Sequence, residues 1–126
     1  MHRVVNEGRA NPSGDGRRGT AHKYFHGPGV TSVDADIYGK TGTATDTPAD
    51  LNGDGTIGAD ERERNEMAWF AGFALENSSR GRPLGERRGV AFAVVVEYTT
   101  GGGGHNAAPI AREAIRRCRA MGYIGF

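Results

Sequence analysis

Apolar and polar positions along this chain follow two periods. From Ile37 to Thr45 the residues suit extended backbone, with Thr43 and Thr45 favouring a strand. Over Met67–Leu75 the apolar side chains alternate. Met67, Trp69, Ala71, Phe73 and Leu75 share one face and Phe70 takes the other, which is strand periodicity. Gly89–Tyr98 is the most hydrophobic segment, and its Val90, Val94, Val95 and Val96 predict a central strand covered on both faces. Beyond it the period lengthens. Asn106–Met121 predicts a helix with Asn106 as N-cap and Pro109 in the first turn. Its apolar stripe is Ile110, Ala111, Ala114, Ile115, Cys118 and Met121; Arg112, Glu113, Arg116, Arg117 and Arg119 face away. The basic last turns suit the negative end of the helix dipole, and Gly122 is placed to stop the helix.

The connecting stretches are polar. Met1, Val4 and Val5 have helical spacing, so residues 1–7 read as the end of a helix, followed by a Gly- and Pro-containing loop from Gly8 to Gly19. Gly27-Pro28-Gly29 predicts a turn. His22 and His26 have the spacing of metal ligands on a helix, but the nearby glycines and proline argue against a helix there, and they read as surface histidines. Glu76–Arg88 is a polar turn region. Thr99–Gly104 reads as a flexible link; no Lys-Ser/Thr follows its glycines, so it is not a phosphate cradle.

These elements predict an α+β fold, in which an antiparallel sheet of about three strands is covered by a C-terminal helix. With 126 residues the chain has room for one modest domain. A hydrophobic content of 37% and 21 glycines leave a self-sufficient core unassured. The net charge of +1, with arginines only paired locally at Arg17-Arg18, Arg87-Arg88 and Arg116-Arg117, gives no nucleic-acid signature. Cys118 is the single cysteine, which excludes an internal disulfide; on the helix stripe it reads as a buried thiol. No apolar run approaches the roughly 18–20 residues that span a bilayer, and the N-terminus carries no signal-like apolar stretch.

Two motifs carry chemistry. Asp50-Leu51-Asn52-Gly53-Asp54-Gly55-Thr56-Ile57-Gly58-Ala59-Asp60-Glu61 matches the EF-hand calcium loop at its diagnostic positions. Asp50, Asn52, Asp54, the carbonyl of Thr56 and a bidentate Glu61 would supply hard oxygens to one calcium ion. Gly55 would make the sharp turn, and Ile57 is the apolar position. Thr45–Ala49 cannot form a good entering helix, whereas Ala59–Met67 is competent to form the exiting one. Residues 46–66 therefore read as an insertion between two strands.

The second motif is Tyr38-Gly39-Lys40-Thr41-Gly42-Thr43-Ala44, a Lys-Thr-Gly triplet in a run of small residues. With the later Ala68-Trp69-Phe70-Ala71-Gly72-Phe73-Ala74 and Val94-Val95-Val96-Glu97, it resembles the end of the transpeptidase domain of class B penicillin-binding proteins of the elongation type, penicillin-binding protein 2-like. Gly19-Thr20-Ala21 and Ala107-Ala108-Pro109-Ile110-Ala111 fall where that family has similar steps, so the resemblance spans nearly all of residues 1–126. It implies a serine D,D-transpeptidase sheet acting on peptidoglycan stem peptides or β-lactams. In that setting Lys40 and Thr41 would hold the active-site hydrogen-bond network, and the hydroxyls of Thr41 and Thr43 would bind a terminal carboxylate across Gly42. The N–H of Thr43 would form half of an oxyanion hole. A parent protein would work in the periplasm or on the outer face of the inner membrane.

The family also needs an upstream Ser-x-x-Lys and Ser-x-Asn. Before Lys40, Ser13 is followed three on by Gly16, and Ser32 by Ala35. The expectation is therefore a fragment that is not an enzyme by itself and that self-associates through a sheet face its missing half would cover. Two other readings stay open: a calcium-binding module on a non-catalytic scaffold, and an unrelated small α+β domain.

Overall fold

The computed structural model describes residues 19–31 and 33–125. The helix expected over 1–7, the loop over 8–18, Arg17, Arg18, Ser13 and Ser32 lie outside the described residues.

The described chain is α+β. It runs α1 (Lys23–His26), β1 (Asp36–Thr45), α2 (Ala59–Glu63), β2 (Glu66–Leu75), β3 (Gly89–Thr99) and α3 (Gly102–Ala120). The strands form one antiparallel sheet in the order β1-β2-β3. Alternation sets the faces. Ile37, Phe70 and Ala74 point to the side that α1 and α3 cover, and all three are wholly buried with Phe25, Ala107, Ala108, Ala111 and Ile115. Phe70 lies at the centre, with its ring 6.0 Å from Phe25 and 5.1 Å from Phe92.

The opposite face has no cover among the described residues. It carries Tyr38 stacked on Phe73 at 5.0 Å, with Trp69 40% and Val95 43% exposed. The expectation of a central β3 is thereby corrected: among the described residues β3 is an edge strand whose residues alternate between half-buried and exposed. β-Branched content signals strand, but it does not say how many faces are covered. β3 also bulges. Ala68 pairs with Val96 and Glu66 with Thr99, which leaves one extra residue on β3, where Tyr98 takes φ 52°.

The helix begins earlier than expected. Gly102–Gly104 form its first turn, so Asn106 is not the N-cap and Pro109 lies inside the helix. The Asn106 side-chain amide instead donates to the carbonyls of Thr100 and Gly102. The buried stripe is accordingly Gly103, Ala107, Ala108, Ala111 and Ile115, while Ile110 and Met121 are 51% and 64% exposed and Ala114 is exposed too. Small residues win the inward face because α3 lies very close to the sheet. A Cβ on Gly103 would overlap the Trp69 carbonyl oxygen and come within 2.6 Å of that of Gly42. Cys118 is half-buried at the flank of the core rather than inside it.

The stop at Gly122 is as expected. Gly122 has φ 81°, its N–H donates to Arg119 O, and Tyr123 N–H donates to Cys118 O, the paired bonds of a Schellman motif. The turn at Gly27-Pro28-Gly29 also forms, closed by Val30 N–H to Gly27 O with Gly29 at φ 74°. The histidines differ from expectation. Residues 23–26 make one helical turn, His22 is buried at 8% exposure with its ring 4.9 Å from that of His26, and only His26 is at the surface.

The end of the sheet nearest β2's C-terminus is held by charge. Arg87 donates to the buried Asp36 carboxylate at 2.7 Å, and Ser78 N–H donates to the same oxygen at 3.1 Å. Asp34 takes Arg80 at 2.7 Å and Arg119 at 3.2 Å, tying the 78–80 turn to α3. The Arg80 bond, with help from Arg119 and Asn77, holds the Asp34 carboxyl below the usual range despite partial desolvation.

Candidate functional site

The Lys-Thr-Gly run lies in β1, which among the described residues has a neighbour on one side only and so stands at a sheet edge. Strand alternation separates its side chains. Thr41 and Thr43 share the α3 side, and Lys40 projects on the bare side. The Lys40 ammonium donates to the carbonyl of Thr41 at 2.6 Å. The Thr41 hydroxyl meets that of Thr20 at 2.6 Å, which brings the Gly19-Thr20-Ala21 step against the motif. Thr43 faces the start of α3: a Cβ on Gly102 would come within 2.8 Å of its hydroxyl oxygen. Gly42 and Gly103 are in close backbone approach, so the helix's first turn sits directly over the motif.

This corner collects further polar groups that sequence reasoning missed. Tyr24 OH lies 3.4 Å from His105 Nδ1, and Lys23 sits 5.0 Å over the Tyr24 ring. Glu66 accepts the Gly102 N–H at 3.3 Å. No local pattern marks the Tyr24–His105 and Glu66–Gly102 contacts, because they join residues 81 and 36 positions apart.

The 50–61 loop is built by side chains that accept backbone N–H groups. Asp50 accepts from Gly53 at 2.7 Å, Asp54 at 3.2 Å and Gly55 at 2.8 Å. Asn52 Oδ1 accepts from Asp54 N–H at 2.9 Å. Asp54 Oδ1 accepts both the N–H and the hydroxyl of Thr56 at 2.8 Å; the hydroxyl chiefly holds the Asp54 carboxyl below its usual range. Glu61, 3% exposed, accepts Leu51 N–H at 2.8 Å and Asn52 N–H at 3.1 Å on one oxygen and Gly58 N–H at 2.8 Å on the other. It thus ties the first limb of the loop to the last. Gly53 and Gly55 take positive φ, as the turn needs. The chain enters the loop straight from β1, with no helix between, as expected; the exiting helix is shorter than expected, since α2 starts within the loop at Ala59 and ends at Glu63, and Glu66 and Met67 already belong to β2.

Among the described residues, no three His, Cys, Asp or Glu side chains are grouped to hold a metal ion. The donor set nevertheless fits a hard divalent cation in chemistry and order. It offers carboxylate and amide oxygens at alternate positions, and Asp50 Oδ2, Asn52 Oδ1, Asp54 Oδ2 and Glu61 Oε2 each accept one donor only, which leaves a lone pair on each.

No family model, curated protein or solved structure matches this chain.

Proposed function

We propose that the chain supplies the Lys-Thr-Gly strand of a penicillin-binding-protein-like transpeptidase sheet, with a calcium loop inserted in the β1–β2 connection. The observation that carries the reading is the placement of the motif: an edge strand among the described residues, with Thr41 and Thr43 on one side and the amino-terminal turn of α3 packed against them. Two hydroxyls on one side of an edge strand suit a carboxylate acceptor, here that of a stem peptide or β-lactam, beside a helix N-terminus whose Gly102 N–H is already taken by Glu66. Lys40 projects on the opposite side of the strand, where its ammonium donates to the Thr41 carbonyl. The 126 residues hold no Ser-x-x-Lys nucleophile, and a lysine with an N–H donor cannot replace an attacking oxygen. A fluorescent penicillin therefore leaves no covalent band on a denaturing gel; a stoichiometric band would overturn this account.

The loop supports a second role, binding of one calcium ion by Asp50, Asn52, Asp54, the Thr56 carbonyl and Glu61. The observation favouring it is Glu61, buried at the twelfth position and shared between both limbs of the loop. With no paired hand, affinity falls on the order of 10⁻⁵ to 10⁻³ M, and magnesium binds less well because its octahedral shell makes less use of a bidentate carboxylate. Calorimetry with calcium tests this, and no heat of binding up to millimolar calcium would exclude it.

A further inference from the structure

We propose that the 46–65 loop is a calcium-dependent clamp on the end of β1 that carries Thr43 and, through Glu66, on the first turn of α3; the inference rests on the calcium reading above. The contacts run without a gap. Glu61 joins the loop's limbs and belongs to α2, which ends where Arg64 N–H meets the carbonyls of Asp60 and Glu61. The next residue, Asn65, accepts Asp46 N–H at 2.6 Å, closing the loop's mouth directly beyond the last β1–β2 pair, Thr45 with Glu66. Glu66 then accepts Gly102 N–H, and Gly102 lies against the Thr43 hydroxyl.

This end of the sheet is also its least regular part. The β3 bulge interrupts the β2–β3 ladder between Glu66 and Ala68, so there the ends of β1 and β2 are held by their own pairing, which runs on to Thr45 with Glu66, by the loop closure and by α3. An opening that parts Asp46 from Asn65 and displaces Glu66 pulls on α2 and so on Glu61. Such an opening removes a ligand from the calcium site. A cation that binds only the closed loop suppresses that opening by mass action.

Hydrogen exchange on the full chain, with calcium absent or at about 100 times the calorimetric Kd, tests the clamp. Exchange of protected amides in 43–46 and 66–68, and of Gly102, slows roughly 10- to 100-fold, while amides near Ile37 and Ile115 do not change. Glu66→Ala, outside the ligand set, keeps calcium affinity within about twofold but loses the slowing at Gly102. If that variant fails to fold, the wild-type comparison decides alone. Normal calorimetric binding with slowing confined to 50–61 would overturn the clamp and leave the calcium reading standing. No calcium binding would overturn both.

Discussion

At the scale of single residues, the 50–61 turn was legible because its contacts are local, and the calcium site proposed there rests on the same residues. Every donor lies within twelve positions, and the hydrogen bonds run between neighbours in sequence. The expectation is specific enough to separate adjacent acids. Glu61→Gln weakens calcium binding strongly, whereas Asp60→Asn does not, since Asp60 is exposed and Glu61 is buried in the loop. Titration calorimetry of both variants checks it, and equal losses would reduce the motif to a polar loop. Asp54 adds a pH signature. Its folded pKa is depressed from 3.8, so the Thr56 bonds stabilise the loop above that value and are lost as pH falls through the lowered one. Thr56→Val removes the hydroxyl and moves the Asp54 titration upward, readable by carbon-13 NMR. What the sequence hid was the buried pair of Asp36 and Arg87, 51 positions apart. Arg87→Met strands a buried carboxylate and costs about 3–5 kcal/mol in denaturant unfolding.

At the scale of elements, strand identity was readable from alternation in β2 and from β-branched content in β1 and β3, but the buried face was not: β2 buries Ala68, Phe70 and Ala74, while its alternating apolar set from Met67 to Leu75 lies on the other side. The helix start was not readable either. Gly102–Gly104 are poor helix formers, and their helical state is imposed by contact with Gly42 and Trp69, which no local signal reports. Substitution distinguishes these effects. By propensity alone Gly103→Ala would stabilise α3 by about 1 kcal/mol. Overlap of the new Cβ with the Trp69 carbonyl reverses the sign, giving a net loss of about 1–3 kcal/mol. Gly85→Ala, with open space around it, stays within about 0.5 kcal/mol. Chemical denaturation of both variants checks the contrast.

At the scale of the whole molecule, the sheet has α1 and α3 on one face and, among the described residues, a bare apolar face opposite, bearing Trp69, Val95 and the Tyr38–Phe73 stack. Contiguous apolar surface of this kind drives association. The weight-average mass in sedimentation therefore rises with concentration, and Val95→Lys, which puts a charge in the middle of that face, reduces the rise; a concentration-independent monomer would contradict this. Which face is bare could be anticipated only as far as the motif resemblance reached, because coverage depends on segments distant in sequence. The central claim is that β1 is a carboxylate-recognising edge, and it is tested most directly by NMR titration of the labelled chain with a peptide ending in D-alanyl-D-alanine. The account predicts weak, saturable shifts, on the order of millimolar, centred on the amides of Thr41, Gly42, Thr43 and Gly102, and their loss in the Thr41→Val, Thr43→Val double variant. Shifts absent at saturating peptide, or unchanged in the double variant, would contradict it.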